Sequence, residues 1–124
     1  MIVRGIEEAK TVEWGNGLSR RFLTAADGMG YTLTDTIVNA GTKSQLEYRN
    51  HLEACYCVEG EGEVVDMAGN SHPITPGVMY ALDQHDAHYL IASPHSDLRL
   101  ICMFTPALRG DEVHSLDAAR SSAY

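Results

Sequence analysis

His51-Leu52-Glu53-Ala54-Cys55-Tyr56-Cys57-Val58-Glu59-Gly60-Glu61-Gly62-Glu63 is the stretch on which the reading of the fold turns. It reads as a strand, a glycine turn and the start of a second strand. Strict alternation puts Glu53, Cys55 and Cys57 on one face and Ala54, Tyr56 and Val58 on the other. A carboxylate sharing a face with two cysteines is unusual for a purely structural strand. If that face points inward, Glu53 must be paired, protonated or bound to a metal.

The same punctuation recurs outward from this stretch. Downstream, Asp66-Met67-Ala68-Gly69-Asn70 turns the chain into a short strand around 72–74, and Pro76-Gly77 opens another over 78–82. Asp83-Gln84-His85-Asp86 is a tight loop before a strand over 87–92. The last strand, 98–105, carries the strongest apolar run. Upstream, 18–24 and 31–39 read as a hairpin about Ala26-Asp27-Gly28-Met29-Gly30. Thr32, Thr34 and Thr36 share one face of its second arm. Residues 5–12 are expected to form a short N-terminal helix. Residues 107–124 are expected to be a mobile C-terminal tail, partly ordered or lid-like. Eight to ten short strands with almost no helix make an all-β sandwich or small barrel, a single domain over 1–106.

Composition narrows the function. The 124 residues suffice for one modest core, and a net charge of −8 argues against nucleic-acid and anionic-membrane partners. No apolar run approaches a membrane span, and the first residues do not read as a signal peptide. Three cysteines fit free thiols in a reducing compartment, so a cytoplasmic protein is expected.

Gly41, Glu47, Arg49, Glu53 and Gly60 stand at the spacing of the first cupin motif, and Gly77, Asp83, His85 and His88 at that of the second. The chain resembles a cupin, a double-stranded β-helix or jelly-roll barrel, in which both histidines of the first motif are replaced while its glutamate remains. Tyr80 shares a face with Val78 and Leu82, and His88 follows across a tight loop, close enough for an adjacent antiparallel strand. Glu53, Tyr80 and His88 would then make a mixed oxygen and nitrogen site suited to Fe(II), Mn(II) or Zn(II). Cysteine ligation would shift that choice towards zinc, although Cys55 and Cys57 diverge too far for a zinc knuckle.

Within the cupins the resemblance is to ectoine synthase. It rests on Asp35-Thr36-Ile37, Asn50-His51-Leu52-Glu53-Ala54, Gly60-Glu61-Gly62-Glu63, Leu82-Asp83-Gln84-His85-Asp86, His88-Tyr89-Leu90 and Glu112-Val113-His114, in order along the chain. The resemblance implies a carbon-oxygen hydro-lyase that cyclises N-γ-acetyl-L-2,4-diaminobutyrate to ectoine with loss of water, for osmoprotection. It implies iron on Glu53, Tyr80 and His88, substrate contacts from Ser19, Thr36, Cys102, Phe104 and His114, and a polar catalytic set of Tyr48, His51, Asp86 and Glu112. It also implies a homodimer. The family's tryptophan two residues before the serine is Gly17 here, with Trp14 in the preceding loop as its stand-in, and Glu47 replaces a histidine. These departures leave open a relative acting on another acylated amino acid or running in the hydrolytic direction, or a binding module without catalysis.

Overall fold

The computed structural model describes residues 1–112. The strands are β1 (Lys10–Glu13), β2 (Gly17–Leu23), β3 (Thr32–Val38), β4 (Lys43–Leu46), β5 (Leu52–Glu59), β6 (Gly62–Asp66), β7 (Ser71–Ile74), β8 (Met79–Leu82), β9 (His88–Ala92) and β10 (Leu98–Thr105). They form a six-stranded sheet, β1-β2-β3-β10-β5-β8, and a four-stranded sheet, β4-β9-β6-β7. Every pairing is antiparallel. This is the double-sheet jelly roll that the cupin resemblance implies, and it fits the sandwich or small barrel expected from the turn spacing. Val38, Cys57, Leu98, Leu100, Ile74 and Leu90 fill the space between the sheets, all buried. Alternation along each strand delivers them there, as in β10, where Leu98, Leu100, Cys102 and Phe104 are buried and the residues between them are not.

The N-terminal segment departs from expectation. Only Ile6–Glu8 turns, as one 3-10 turn, and Lys10–Glu13 is a strand on the edge of the large sheet. Two forces flatten this segment. Arg4 donates to Phe22 O and to Asp27, both at 2.7 Å, tying the chain to β2 and its turn. Thr11 and Val12 are β-branched and favour extended backbone.

The packed unit runs on past Pro106. Leu108 is fully buried; its N–H donates to Thr32 Oγ1 at 2.7 Å, and its carbonyl accepts from Ala25 N–H at 2.7 Å. Arg21, buried in β2, pairs with Glu112 at 3.7 Å and donates to its backbone carbonyl. The part of the expected tail over 113–124 lies outside the described residues.

Gly17 and Gly60 are among the glycines whose places no other residue fits. Gly60 has φ +86° in the β5–β6 turn, and a Cβ there would stand 2.0 Å from Asp97 O. At Gly17 a Cβ would meet Ile37 O at 1.8 Å, and the Trp14 ring is the next side chain it would touch, at 3.2 Å. Gly17→Ala is therefore expected to push β2 and β3 apart and to destabilise the fold by about 1–3 kcal/mol. Chemical denaturation reads this directly; a variant with unchanged midpoint and slope would show that the strands yield freely.

Candidate active site

The antiparallel register builds the site as two adjacent rows across the inner face of the large sheet. One row runs Arg21, Thr34, Cys102, Cys55, Tyr80 over β2, β3, β10, β5 and β8. The next runs Thr32, Phe104, Glu53, Leu82. Glu53 and Cys55 are successive inward residues of β5, as alternation predicts, and β10 lays Cys102 directly opposite Cys55. The oxygen of Glu53 and the sulfurs of Cys55 and Cys102 all lie within 4.8 Å of one another. Cys57 faces inward too, but its thiol turns to Glu59 O at 3.4 Å.

The opposite wall comes from the small sheet. His88 begins β9, and Tyr48 follows β4. The Tyr48 ring meets Phe104 edge-on at 5.3 Å and the His88 ring at 6.1 Å. The rings of Tyr80 and His88 are 6.3 Å apart. A cavity of about 20 Å³ lies between these walls. Glu53, Cys55, Cys102, Tyr48 and Tyr80 line its polar side, Ser19 and Thr36 add hydroxyls, and Trp14 and Phe104 add apolar surface. That is room for one water-sized guest. On its outer side Tyr80 also borders a cleft of about 470 Å³, shared with His88 and Asp86.

Burial dominates the electrostatics of the site. Burial pushes the Glu53 carboxyl up to about 7, although hydrogen bonds from Cys55, Cys102 and Tyr48 pull the other way. Burial also drives the Cys55 thiol and the Tyr80 hydroxyl well above their ordinary values, and neighbouring negative charge adds to it. Burial lowers His88, which favours its neutral imidazole, although the Asp86 carbonyl and carboxylate pull the other way. Its Nδ1 lies 2.9 Å from Asp86 O, whereas the buried Nε2 has no hydrogen-bond partner among the described residues. A ring held by its Nδ1–H on a carbonyl, with a free Nε2 lone pair, is a metal ligand's arrangement. A carboxylate, a phenol and this imidazole are a donor set that fits a divalent cation.

The predicted residues fall into three groups. Glu53, Tyr80, Tyr48, Ser19, Thr36, Cys102 and Phe104 converge on the cavity, and His88 stands beside Tyr80 and Tyr48. His51, Asp86 and Glu112 are not among its lining. His51 Nδ1 lies 2.7 Å from Pro106 O. Asp86 is exposed, its carboxylate accepting from Gln84 N–H at 3.1 Å while its carbonyl holds His88. Glu112 accepts from Arg109 and Gly110 N–H, both at 2.9 Å, in the clamp with Arg21. His114 lies outside the described residues.

Three further findings bear on the site. Glu47 points away from it: Leu46 and Tyr48 take the inward positions, and Glu47 pairs with Arg49 at 3.3 Å on the surface. Trp14 does reach the cavity from its loop, passing over Gly17. His85, which its turn position suggests is solvated, is exposed, yet it ties the loops together. Its Nδ1 lies 2.8 Å from Tyr48 O and 3.1 Å from His51 O, at a left-handed φ of 56°. Arg21 carried no signal in the sequence, because its only cue is an arginine at an inward position of β2.

A family model described as ectoine synthase matches residues 1–123. The chain is 54% identical over 101 residues to L-ectoine synthase of Wolinella succinogenes, covering 81% of this chain and 76% of that one. It is 45% identical over 130 residues to L-ectoine synthase of Halomonas elongata, covering 99% and 93%. Among solved structures it is similar to ectoine synthase from P. lautus, with a TM-score of 0.83 and 47% identity over 89% of this chain and 81% of that one. The polyketide cyclase RemF from Streptomyces resistomycificus shares the fold, with a TM-score of 0.73 at 17% identity over 85% of this chain and 79% of that one.

Proposed function

The chain belongs to the ectoine synthase family and is a lyase of ectoine synthesis; from this premise we propose that it closes the ring of N-γ-acetyl-L-2,4-diaminobutyrate at an Fe(II) held by Glu53, Tyr80 and His88. The observation that carries the metal is the buried Nε2 of His88, which has no hydrogen-bond partner among the described residues and stands beside Tyr80, together with the buried Glu53 carboxyl. Manganese and zinc satisfy the same donors.

In the reaction the α-amine attacks the acetamide carbonyl carbon. The carbonyl oxygen leaves as water, taking both amine protons, and a carbon–nitrogen double bond remains. An amide is a poor electrophile, and when bound the ion supplies a Lewis acid for its oxygen. Tyr48 hydrogen-bonds Glu53 at the cavity wall and is the group placed to pass a proton between the amine and the departing oxygen. Ser19 and Thr36, cross-strand partners, present hydroxyls to the substrate's polar ends. Trp14, Phe104 and the inner wall exclude bulk water, which favours a dehydration. The cavity of about 20 Å³ has the room of an ion or a water, with Trp14 and Phe104 among its bulkiest lining residues.

The two features that favour a binding module are weakened: Glu47 pairs with Arg49 on the surface, and a tryptophan, Trp14, still lines the cavity beside Gly17. A homodimer belongs to the same reading. Tyr56, Met79 and Met103 are exposed on the outer face of the large sheet, with Ile101, Tyr56 and Met79 in one cross-strand row. A cytoplasmic setting and a part in osmoprotection complete it, consistent with three free thiols among the described residues.

The test is to incubate the iron-loaded protein with N-γ-acetyl-L-2,4-diaminobutyrate and identify ectoine by mass spectrometry. His88→Ala and Tyr80→Phe are expected to weaken iron binding by about tenfold to a hundredfold or more, read by elemental analysis after dialysis. No ectoine from protein of full iron content would overturn the reaction. Full iron content in both variants would overturn the ligand assignment.

A further inference from the structure

We propose that Glu53, Cys55 and Cys102 form a second, thiolate-rich site that takes a soft or borderline divalent cation such as Zn(II), in competition with the Glu53-Tyr80-His88 site through their shared carboxylate. It rests on the reading above only for that competition; the site itself needs no residue of the other apart from Glu53.

Three observations carry it. The ligand atoms of Glu53, Cys55 and Cys102 lie within 4.8 Å of one another, and they are the one such set of histidine, cysteine and acidic groups among the described residues; His88 stands outside it. This closeness is built into the sheet, because Cys55 and Cys102 are direct cross-strand partners and Glu53 is the next inward residue along β5. All three are buried and line the cavity of about 20 Å³, which has the room of a single ion. Cys55 and Cys57, the pair that adjacency in sequence suggests, do not make this site.

Donor chemistry separates the two sites. Two thiolates and a carboxylate favour zinc, or cobalt as its spectroscopic stand-in, whereas carboxylate, phenolate and imidazole are harder and suit iron. Binding displaces the thiol protons to solvent. Three protein ligands leave a fourth position open in a tetrahedral ion. An ion seated here claims the carboxylate on which the iron site depends, so zinc acts as an antagonist of iron loading rather than as a replacement for it.

Cobalt(II) titration of metal-free protein tests this. One equivalent is expected to raise a thiolate-to-cobalt charge-transfer band in the near ultraviolet. The band should persist in His88→Ala and Cys57→Ala, weaken in Cys55→Ala and in Cys102→Ala, and disappear when both Cys55 and Cys102 are replaced. In wild-type protein, zinc X-ray absorption is expected to show sulfur at about 2.3 Å; this needs no variant, so a misfolded substitution leaves the question answerable. Cys55→Ala should weaken zinc binding by about tenfold or more while its iron content stays that of wild type. A shell of nitrogen and oxygen alone, or a band that survives removal of both Cys55 and Cys102, would overturn the proposal. A band lost in His88→Ala would overturn it equally, by showing one site instead of two. Failure of the iron site is read separately, as iron retained in His88→Ala.

Discussion

Glu53→Ala is expected to leave the protein folded, without iron, and with kcat/KM lowered by about three orders of magnitude. Electrophilic activation of an amide by a bound ion is worth several kcal/mol, each 1.4 kcal/mol being tenfold in rate, and among the described residues Glu53 is the one carboxylate lining the cavity. The partners it leaves behind are thiols and the Tyr48 hydroxyl. The same residue costs the metal-free protein stability, and the cost depends on pH. Burial holds the folded carboxyl at about 7 against an ordinary 4.5. Between those values the unfolded chain has released a proton that the folded chain keeps, so stability falls as pH rises. The span amounts to about 3 kcal/mol. Below pH 4.5 both states are protonated and the penalty vanishes; above 7 it is present in full. Metal-free Glu53→Gln should thus match wild type near the lower value and exceed it above the upper one, in urea titrations at the two pH values. A difference that does not change with pH would refute the account of Glu53, and retained activity in Glu53→Ala would refute its role as ligand.

Arg21→Met is expected to destabilise the protein by about 3–5 kcal/mol. The Arg21 side chain is completely buried, donates to Ser19 Oγ at 3.3 Å and to the Glu112 carbonyl, and faces the Glu112 carboxylate at 3.7 Å. Methionine keeps much of the volume and removes the charge, leaving Glu112 buried without its guanidinium. Arg21→Lys should not rescue it, because an ammonium has no planar fork to reach both Ser19 and the Glu112 carbonyl. Burial pushes the Glu112 carboxyl up, but hydrogen bonds from Arg109 and Gly110 N–H and the charge of Arg21 outweigh it, leaving the group below its ordinary 4.5. The stability it contributes is present above 4.5 and is lost as pH falls through the lower folded value. A double-mutant cycle with Glu112→Gln measures the coupling. A loss in Arg21→Met below about 1 kcal/mol would show that the clamp contributes little.

Periodicity made much of this legible. The inward face of β5, the β2–β3 hairpin and the parity of Leu100, Cys102 and Phe104 all follow from alternation and turn residues. What alternation cannot supply is the identity of a cross-strand neighbour. It marks Cys55 and Cys102 as inward but does not say that β10 lays one against the other, since that depends on which strand inserts where. Local propensity misled at residues 5–12, where pairing of Lys10–Glu13 with β2 and the Arg4 contacts override the helix-forming Glu7, Glu8 and Ala9. The resemblance implies a place for Glu112 in the polar catalytic set; its pairing with Arg21 is a tertiary contact that the sequence does not announce. A loop tryptophan entering the cavity is likewise a tertiary event, permitted because Gly17 leaves the space.

The position of β10 sets the order in which this protein can come into being. The strand enters the large sheet between β3 and β5, so both keep an unsatisfied hydrogen-bonding edge until residues 98–105 have been synthesised. No earlier fragment holds Cys102 or Phe104, and none can close the cavity. Nascent chains arrested before this strand would present two open edges to any other chain nearby, an invitation to misassembly. The long-range pairing that completes the barrel also predicts slow folding for a domain of this size. Cells making the protein in quantity would then depend on their chaperones most during the interval before the last strand is seated.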